Sequence, residues 1–245
     1  MDCVLNIGEQ AITQKDLFPL LAQYQILPQL AREIIIEQAI ADIECTEEEK
    51  ITARQQFCQQ LQINTEEQLQ AWGNQQFMTP EQLENKIVRG LKIEKFKQKT
   101  WENKIESYFL KRKGQLDKVI YSLIRTQDAG IAQELFFRIQ ENETSFADLA
   151  RQYSQGSESQ TGGLVGPVEL SVPHPKISQL LMASKPGQLL PPTRIENWLV
   201  IVRLEKLIFA ELDQQMRQRL MEELFRNWLQ EQMQQQVSLS ESTTI

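Results

Sequence analysis

The chain has 245 residues, 41% of them hydrophobic and 24% charged, which allows one or two domains with a substantial core and is ordinary for a soluble protein. Its formal net charge of -7 argues against a general nucleic-acid binder, which needs a basic face for phosphates, and leaves a neutral or basic polypeptide as partner. No stretch approaches the roughly 18 apolar residues of a membrane span, and the start, MDCVLNIGEQ, lacks a basic segment followed by an apolar run, so a cytoplasmic location is expected.

In chain order, CVLNIG is a short apolar run closed by Gly8, and Thr13 is placed as the N-cap of a helix whose Leu17, Leu20, Leu21 and Tyr24 line one face until Pro28. A helix over about 29–43 is expected to turn Leu30, Ile34, Ile35, Ala39 and Ile40 inward, at the centre of a helical domain. Thr46 and Glu47–Glu48–Glu49 open the next helix, the carboxylates reading as solvated first-turn residues that favour the positive end of the dipole. Thr65 caps a helix carrying Leu69 and Trp72. Thr79–Pro80–Glu81–Gln82 starts a long one, to about Lys99, with Leu83, Ile87, Leu91, Ile93 and Phe96 on its buried side. A short helix with Trp101, Ile105, Tyr108 and Phe109 follows, and the basic run Lys111–Arg112–Lys113 reads as a linker between modules.

After Gly114 the pattern changes. KVIYSLIR, about 118–125, is β-branched and apolar and reads as a strand, and Asp128 caps a helix to about 140 that buries Leu135, Phe136 and Ile139. Ser145 then caps a short helix, with Asp148 three residues on and Phe146, Leu149, Ala150 and Tyr153 at helical spacing. A polar loop leads to the tight Gly162–Gly163 bend, and a proline-punctuated segment to about 192 precedes a second clear strand, Trp198 to Leu204. A long helix over about 210–236 spaces Leu212, Met216, Leu220, Leu224 and Trp228 four apart; it cannot bury that stripe alone and is expected to pack back on the N-terminal helices. The tail, 237–245, reads as flexible. Cys3, Cys45 and Cys58 form no CxxC pair and read as reduced thiols. The single histidine, His174, lies between prolines and reads as a surface residue, so no mechanism needing two histidines can operate. No metal or cofactor is expected.

The order strand, helix, FADLARQYS, GG followed by LVG, an apolar helix ending in Lys185–Pro186–Gly187, and a terminal apolar strand resembles the parvulin-type peptidyl-prolyl cis-trans isomerases. VLNIGEQAIT, EIIIEQA and TPEQLENKIVRGLKIEKF resemble the N-terminal region of the multidomain chaperone-isomerases of the SurA and PrsA type. The resemblance implies an α+β fold: a mainly helical chaperone-like body and a parvulin-like head, four antiparallel strands with helices around them. The corresponding divisions are a helical domain over 1–112, a parvulin-like domain over 113–209, the C-terminal helix over 210–236 and the tail. Carried across residue by residue, the first-strand histidine of the family falls at Tyr121 and the last-strand histidine at Leu199; the loop position that is often Cys or Asp falls near Gly156, and the proline-pocket phenylalanine near Ile177. The polar centre of the family is thus absent, whereas Val165, Ile177, Leu180, Leu181, Met182 and Leu199 retain the makings of a dry pocket. Tyr121 offers one hydroxyl donor but shares a strand side with Leu123, and reads equally as core or as site. The connection Thr126–Gln127–Asp128 holds no basic cluster, so phosphate-specific recognition is not expected. The function implied is a prolyl isomerase or foldase with a degenerate site, acting on unfolded or proline-containing polypeptide; the alternatives are a non-catalytic peptide-binding chaperone and an adaptor whose C-terminal helix docks another protein.

Overall fold

Threonine caps divide the first half of the chain. The hydroxyls of Thr46, Thr65 and Thr79 each accept the backbone N–H three residues on, and Glu49, Gln68 and Gln82 accept the capping N–H in return, closing three capping boxes. The computed structural model describes residues 3–238. In it the chain runs through strands β1 (Cys3–Ile7) and β2 (Gln10–Thr13), then helices α1 (Gln14–Gln23), α2 (Leu27–Ile40), α3 (Glu47–Gln60), α4 (Glu66–Gln75), α5 (Pro80–Trp101) and α6 (Ile105–Leu116). There follow β3 (Lys118–Thr126), α7 (Ala129–Gln140), α8 (Phe146–Tyr153), β4 (Leu164–Glu169), α9 (Pro175–Met182), β5 (Thr193–Ile195), β6 (Trp198–Ile208) and α10 (Gln214–Gln236). One compact unit comprises the described residues through Ile105 together with those from Arg217; the other is Glu106–Met216.

In the first unit β1 and β2 form an antiparallel hairpin, and α2, α5 and α10 share a core of Ile35, Ile36, Ile40, Ile43 and Leu229 with Phe96, Phe225, Trp228 and Met233 against it. The inward side of α2 differs from the sequence expectation: Leu30 and Ile34 are 42% and 48% exposed, and Ile36 is buried instead. Apolar residues surround this helix, so its own periodicity does not choose a face; the ridge offered by α5 and α10 does. Lys97 was not expected inside. It lies buried under the Phe225 ring and donates to Glu94 at 2.8 Å and to Glu222, which compensates its desolvation. The apolar side of α10 is thereby occupied by helices of its own unit. The basic run Lys111–Lys113 is helical, inside α6, rather than an open linker; the Lys113 ammonium donates to the Ala210 carbonyl at 2.9 Å, which ties the run down.

The second unit holds the antiparallel sheet β4-β3-β6-β5, the four-stranded arrangement expected of the head. β5 is an edge strand of three residues that the proline-punctuated sequence did not reveal. Strand alternation gives β3 and β6 two different faces. Val119, Tyr121 and Leu123 join Val200, Val202 and Leu204 under α9, which contributes Ile177 and Leu181. On the other side Ile124 and Ile201 pack on Leu135 and Ile139 of α7 and on Phe146, Leu149 and Ala150 of α8. Gly163, at φ +83°, lies so close to the β3 backbone that a Cβ would stand 2.9 Å from the Leu123 carbonyl oxygen, so the second glycine of the bend is a packing requirement. No helix among the described residues is long and apolar enough to cross a membrane. The expected tail lies, from residue 239, outside the described residues.

Candidate functional site

Tyr121 sits at the middle of β3, opposite Val165 of β4 on one side and Leu204 of β6 on the other. Its ring belongs to the cluster of Ile177, Leu181, Val200 and Val202, and the residue is only 5% exposed. The hydroxyl has no protein hydrogen-bond partner, yet no buried side-chain nitrogen or oxygen among the described residues is left unsatisfied, so the hydroxyl oxygen reaches the surface. Burial pushes its pKa above the usual tyrosine value, the Glu158 carboxylate adds to the rise, and the Arg125 guanidinium opposes it. The neutral hydroxyl, a donor as well as an acceptor, is therefore the form present at neutral pH.

The two neighbouring charges come from β3 itself and from the short 3-10 helix Ser157–Thr161. Arg125 lies two alternations beyond Tyr121, on the same face. Its Nε and Nη2 donate to the two carboxylate oxygens of Glu158, at 3.0 and 2.8 Å. Ser154 completes the arrangement: its hydroxyl donates to Glu158 at 2.6 Å and accepts the Arg125 backbone N–H at 3.0 Å. The Glu158 side chain is 4% exposed and the Arg125 side chain 33%. The guanidinium also stands over the Trp198 indole, 5.7 Å from its centroid. Where it passes Gly156 it fills the space a side chain would take, because a Cβ at 156 would overlap its Nε.

Of the residues singled out from the sequence, Tyr121, Val165, Ile177 and Leu181 meet in one cluster, and Gly156 adjoins it through Arg125. Leu199 does not join them. It pairs with Thr126 and alternates with Val200, so its side chain takes the face of Ile201, away from Tyr121. The β6 position on the Tyr121 face is Val200, and the one-residue offset is enough to change the side. Leu180 packs against the cluster, whereas Met182 is exposed. His174 proves to be the N-cap of α9, its Nδ1 accepting the Lys176 backbone N–H at 3.2 Å; it positions the helix that carries Ile177 and Leu181. Arg125 and Glu158 were not singled out. Their signal in the sequence is slight: an arginine at the period-2 spacing from Tyr121, and a glutamate two residues after a glycine whose missing side chain leaves room for that arginine. No group of three or more His, Cys, Asp or Glu side chains suited to a metal occurs among the described residues.

Residues 122–206 match the family described as Rotamase, the PPIC-type PPIASE domain. The chain carries a PPIC-type parvulin domain. Its matched stretch begins at Ser122, one residue after Tyr121, and runs into β6 to Lys206. Over nearly its whole length the chain also shares the fold of the peptidylprolyl isomerase PrsA from Bacillus cereus, at 17% identity and TM-score 0.52, with 99% of this chain and 95% of that one covered. PrsA from Bacillus anthracis is 20% identical over 86% of this chain and 100% of its own, at TM-score 0.46. The parvulin domain of PpiD from E. coli is 23% identical, covering 41% of this chain and 97% of its own, at TM-score 0.35. No curated protein sequence matches the chain. Residues 122–206 thus form the parvulin domain of a chain that shares the fold of PrsA.

Proposed function

We propose that the parvulin domain takes a proline-containing segment of an unfolded or extended polypeptide across the Tyr121 face and accelerates rotation about the prolyl bond through a degenerate site, in the cytoplasm. Rotation about an amide faces a barrier of about 18–20 kcal/mol and breaks no covalent bond, so catalysis consists of binding the twisted amide better than either planar form. Twisting makes the nitrogen pyramidal and more basic and the carbonyl less polar. A dry surface favours that less dipolar form, and a hydrogen-bond donor at the nitrogen favours it further. The half-buried Val165, at the rim of the core that Ile177 and Leu181 fill, supplies the first, and the Tyr121 hydroxyl supplies the second. The observation that carries the reading is this hydroxyl: on a buried ring, it has no protein partner and reaches the surface.

In this reading the site is degenerate because the parvulin resemblance implies histidines at Tyr121 and Leu199, where the chain has none, and the β6 residue on the Tyr121 face is Val200. Loss of a positioned polar group lowers a rate by about tenfold to a thousandfold, so a modest acceleration follows. Val200, an apolar residue 4% exposed at the partner position, also favours a second reading, capture of the segment without catalysis. Exchange spectroscopy on an Ala-Leu-Pro-Phe peptide separates the two. With stoichiometric protein, cis–trans exchange peaks that grow faster than in buffer support isomerisation, and shifted peptide signals with unchanged exchange support capture alone. Peptide spectra identical with and without protein would sink both.

A further inference from the structure

The chemistry above uses one polar group on this face, but the structure holds a second, better fixed one. Glu158 binds Arg125 through Nε and Nη2, so Nη1 and its two N–H groups have no protein acceptor among the described residues. The carboxylate takes three donors from Arg125 and Ser154 and is almost wholly removed from solvent. Trp198 stands by one side of the guanidinium and the side-chain-free Gly156 by another, so the plane is held in place with its outer edge directed away from Glu158. We propose that this outer edge is a carbonyl-binding subsite: Nη1 of Arg125 donates to a backbone carbonyl of the bound peptide flanking the prolyl bond, and Arg125 anchors one side of the bond while the other turns.

The chemistry of the pair and of the rotating bond selects this ligand. Paired with a buried carboxylate, the guanidinium belongs to a neutral unit, so it offers directional donors without the uncompensated charge that captures phosphate or carboxylate. The carbonyl of the rotating amide itself is excluded, because a donor there stabilises the planar, more dipolar form and would slow rotation. A flanking carbonyl keeps the same polarity in both isomers, and its hydrogen bond is preserved as the bond turns.

The subsite rests on the reading of this face as the peptide site, and titration of the whole chain distinguishes the two. The probes are Ala-Leu-Pro-Phe amide and its analogue with phosphoserine before proline, and the variants are Arg125→Lys and the double variant Arg125→Met/Glu158→Met, which removes both charges and leaves none buried alone. The unaltered protein is expected to bind the two peptides within about threefold of each other, the double variant to bind the neutral peptide about tenfold more weakly with unchanged circular dichroism, and Arg125→Lys to fall between. Unweakened binding of the neutral peptide by the double variant would overturn the subsite while leaving the peptide face standing. A preference of the unaltered protein for the phosphopeptide of tenfold or more would overturn it in favour of an anion site. If the unaltered protein binds neither peptide, the peptide face is lost and the subsite with it.

Discussion

The two faces of β3 and β6 treat their polar groups in opposite ways. On the face covered by α7 and α8, Ser122 and Arg203 both donate to the Glu205 carboxylate, the latter at 2.8 Å, and the Arg203 guanidinium lies over the Phe146 ring. Those groups pair along the sheet, beside the fully buried Ile124 and Ile201, and only the Nη edge of Arg203, whose side chain is 31% exposed, keeps no protein acceptor among the described residues. On the opposite face the Tyr121 hydroxyl and the outer edge of Arg125 are held firmly but left without protein partners. A pair of strands can thus be a helix-covered floor, sealed but for the Arg203 edge, on one side and present a neutral hydroxyl and a fixed guanidinium edge on the other, because successive side chains alternate. In a domain whose expected histidines are missing, the polar atoms fixed by packing and left without protein partners are those free to meet a ligand.

Substitutions on the sealed face are expected to act on stability and those on the presenting face on peptide. The largest effect belongs to Leu149→Ala, which empties a wholly buried position of α8; a loss of about 2–5 kcal/mol is expected in urea unfolding, with peptide affinity per folded molecule unchanged. A parallel loss of affinity would erase the distinction between the faces. Tyr121→Phe reverses the pattern: exchange spectroscopy should show an acceleration about tenfold smaller, while the unfolding free energy moves by no more than about 0.5 kcal/mol, since the hydroxyl has no protein partner. An unchanged rate would return Tyr121 to the core. Gly156→Ala acts on both: it drives a methyl group into the Arg125 guanidinium and presses it off the buried Glu158 carboxylate, so stability should fall by about 1–3 kcal/mol, beside a fall of about threefold in peptide affinity per folded molecule.

The smallest effect is one of pH. Because the folded-state pKa of Tyr121 is raised, the folded protein holds that proton where the unfolded chain has begun to lose it; the corresponding stability is complete below the unfolded tyrosine pKa and declines as pH rises through the folded value. Ultraviolet titration should show a tyrosine ionising above the ordinary range that is absent from Tyr121→Phe. Loss of a tyrosine that titrates normally would show that burial and Glu158 do not act on this hydroxyl as stated.

Much of this arrangement was legible in the residues. Threonine caps and the glycine bend are local chemistry, and they place α3, α4, α5 and the turn into β4 without reference to anything distant. The Tyr121 cluster was legible through the parvulin resemblance, which set Tyr121, Val165, Ile177 and Leu181 about one pocket. What escaped depended on partners far away in sequence. The inward side of α2 is decided by α10, nearly two hundred positions later. Arg125 finds Glu158 across 33 residues, through a loop whose path no periodicity reports. Leu199 was misplaced by a single position in β6, which in a strand is the difference between one face and the other.

Which face takes the peptide is measured most directly by residue-resolved amide shifts on adding Ala-Leu-Pro-Phe amide. The prediction is a contiguous set of changes at Tyr121, Leu123, Arg125, Gly156, Val165 and the Trp198 indole, with Leu135, Leu149 and Arg203 still. Changes confined to α7 and α8, or none at saturating peptide, would contradict it.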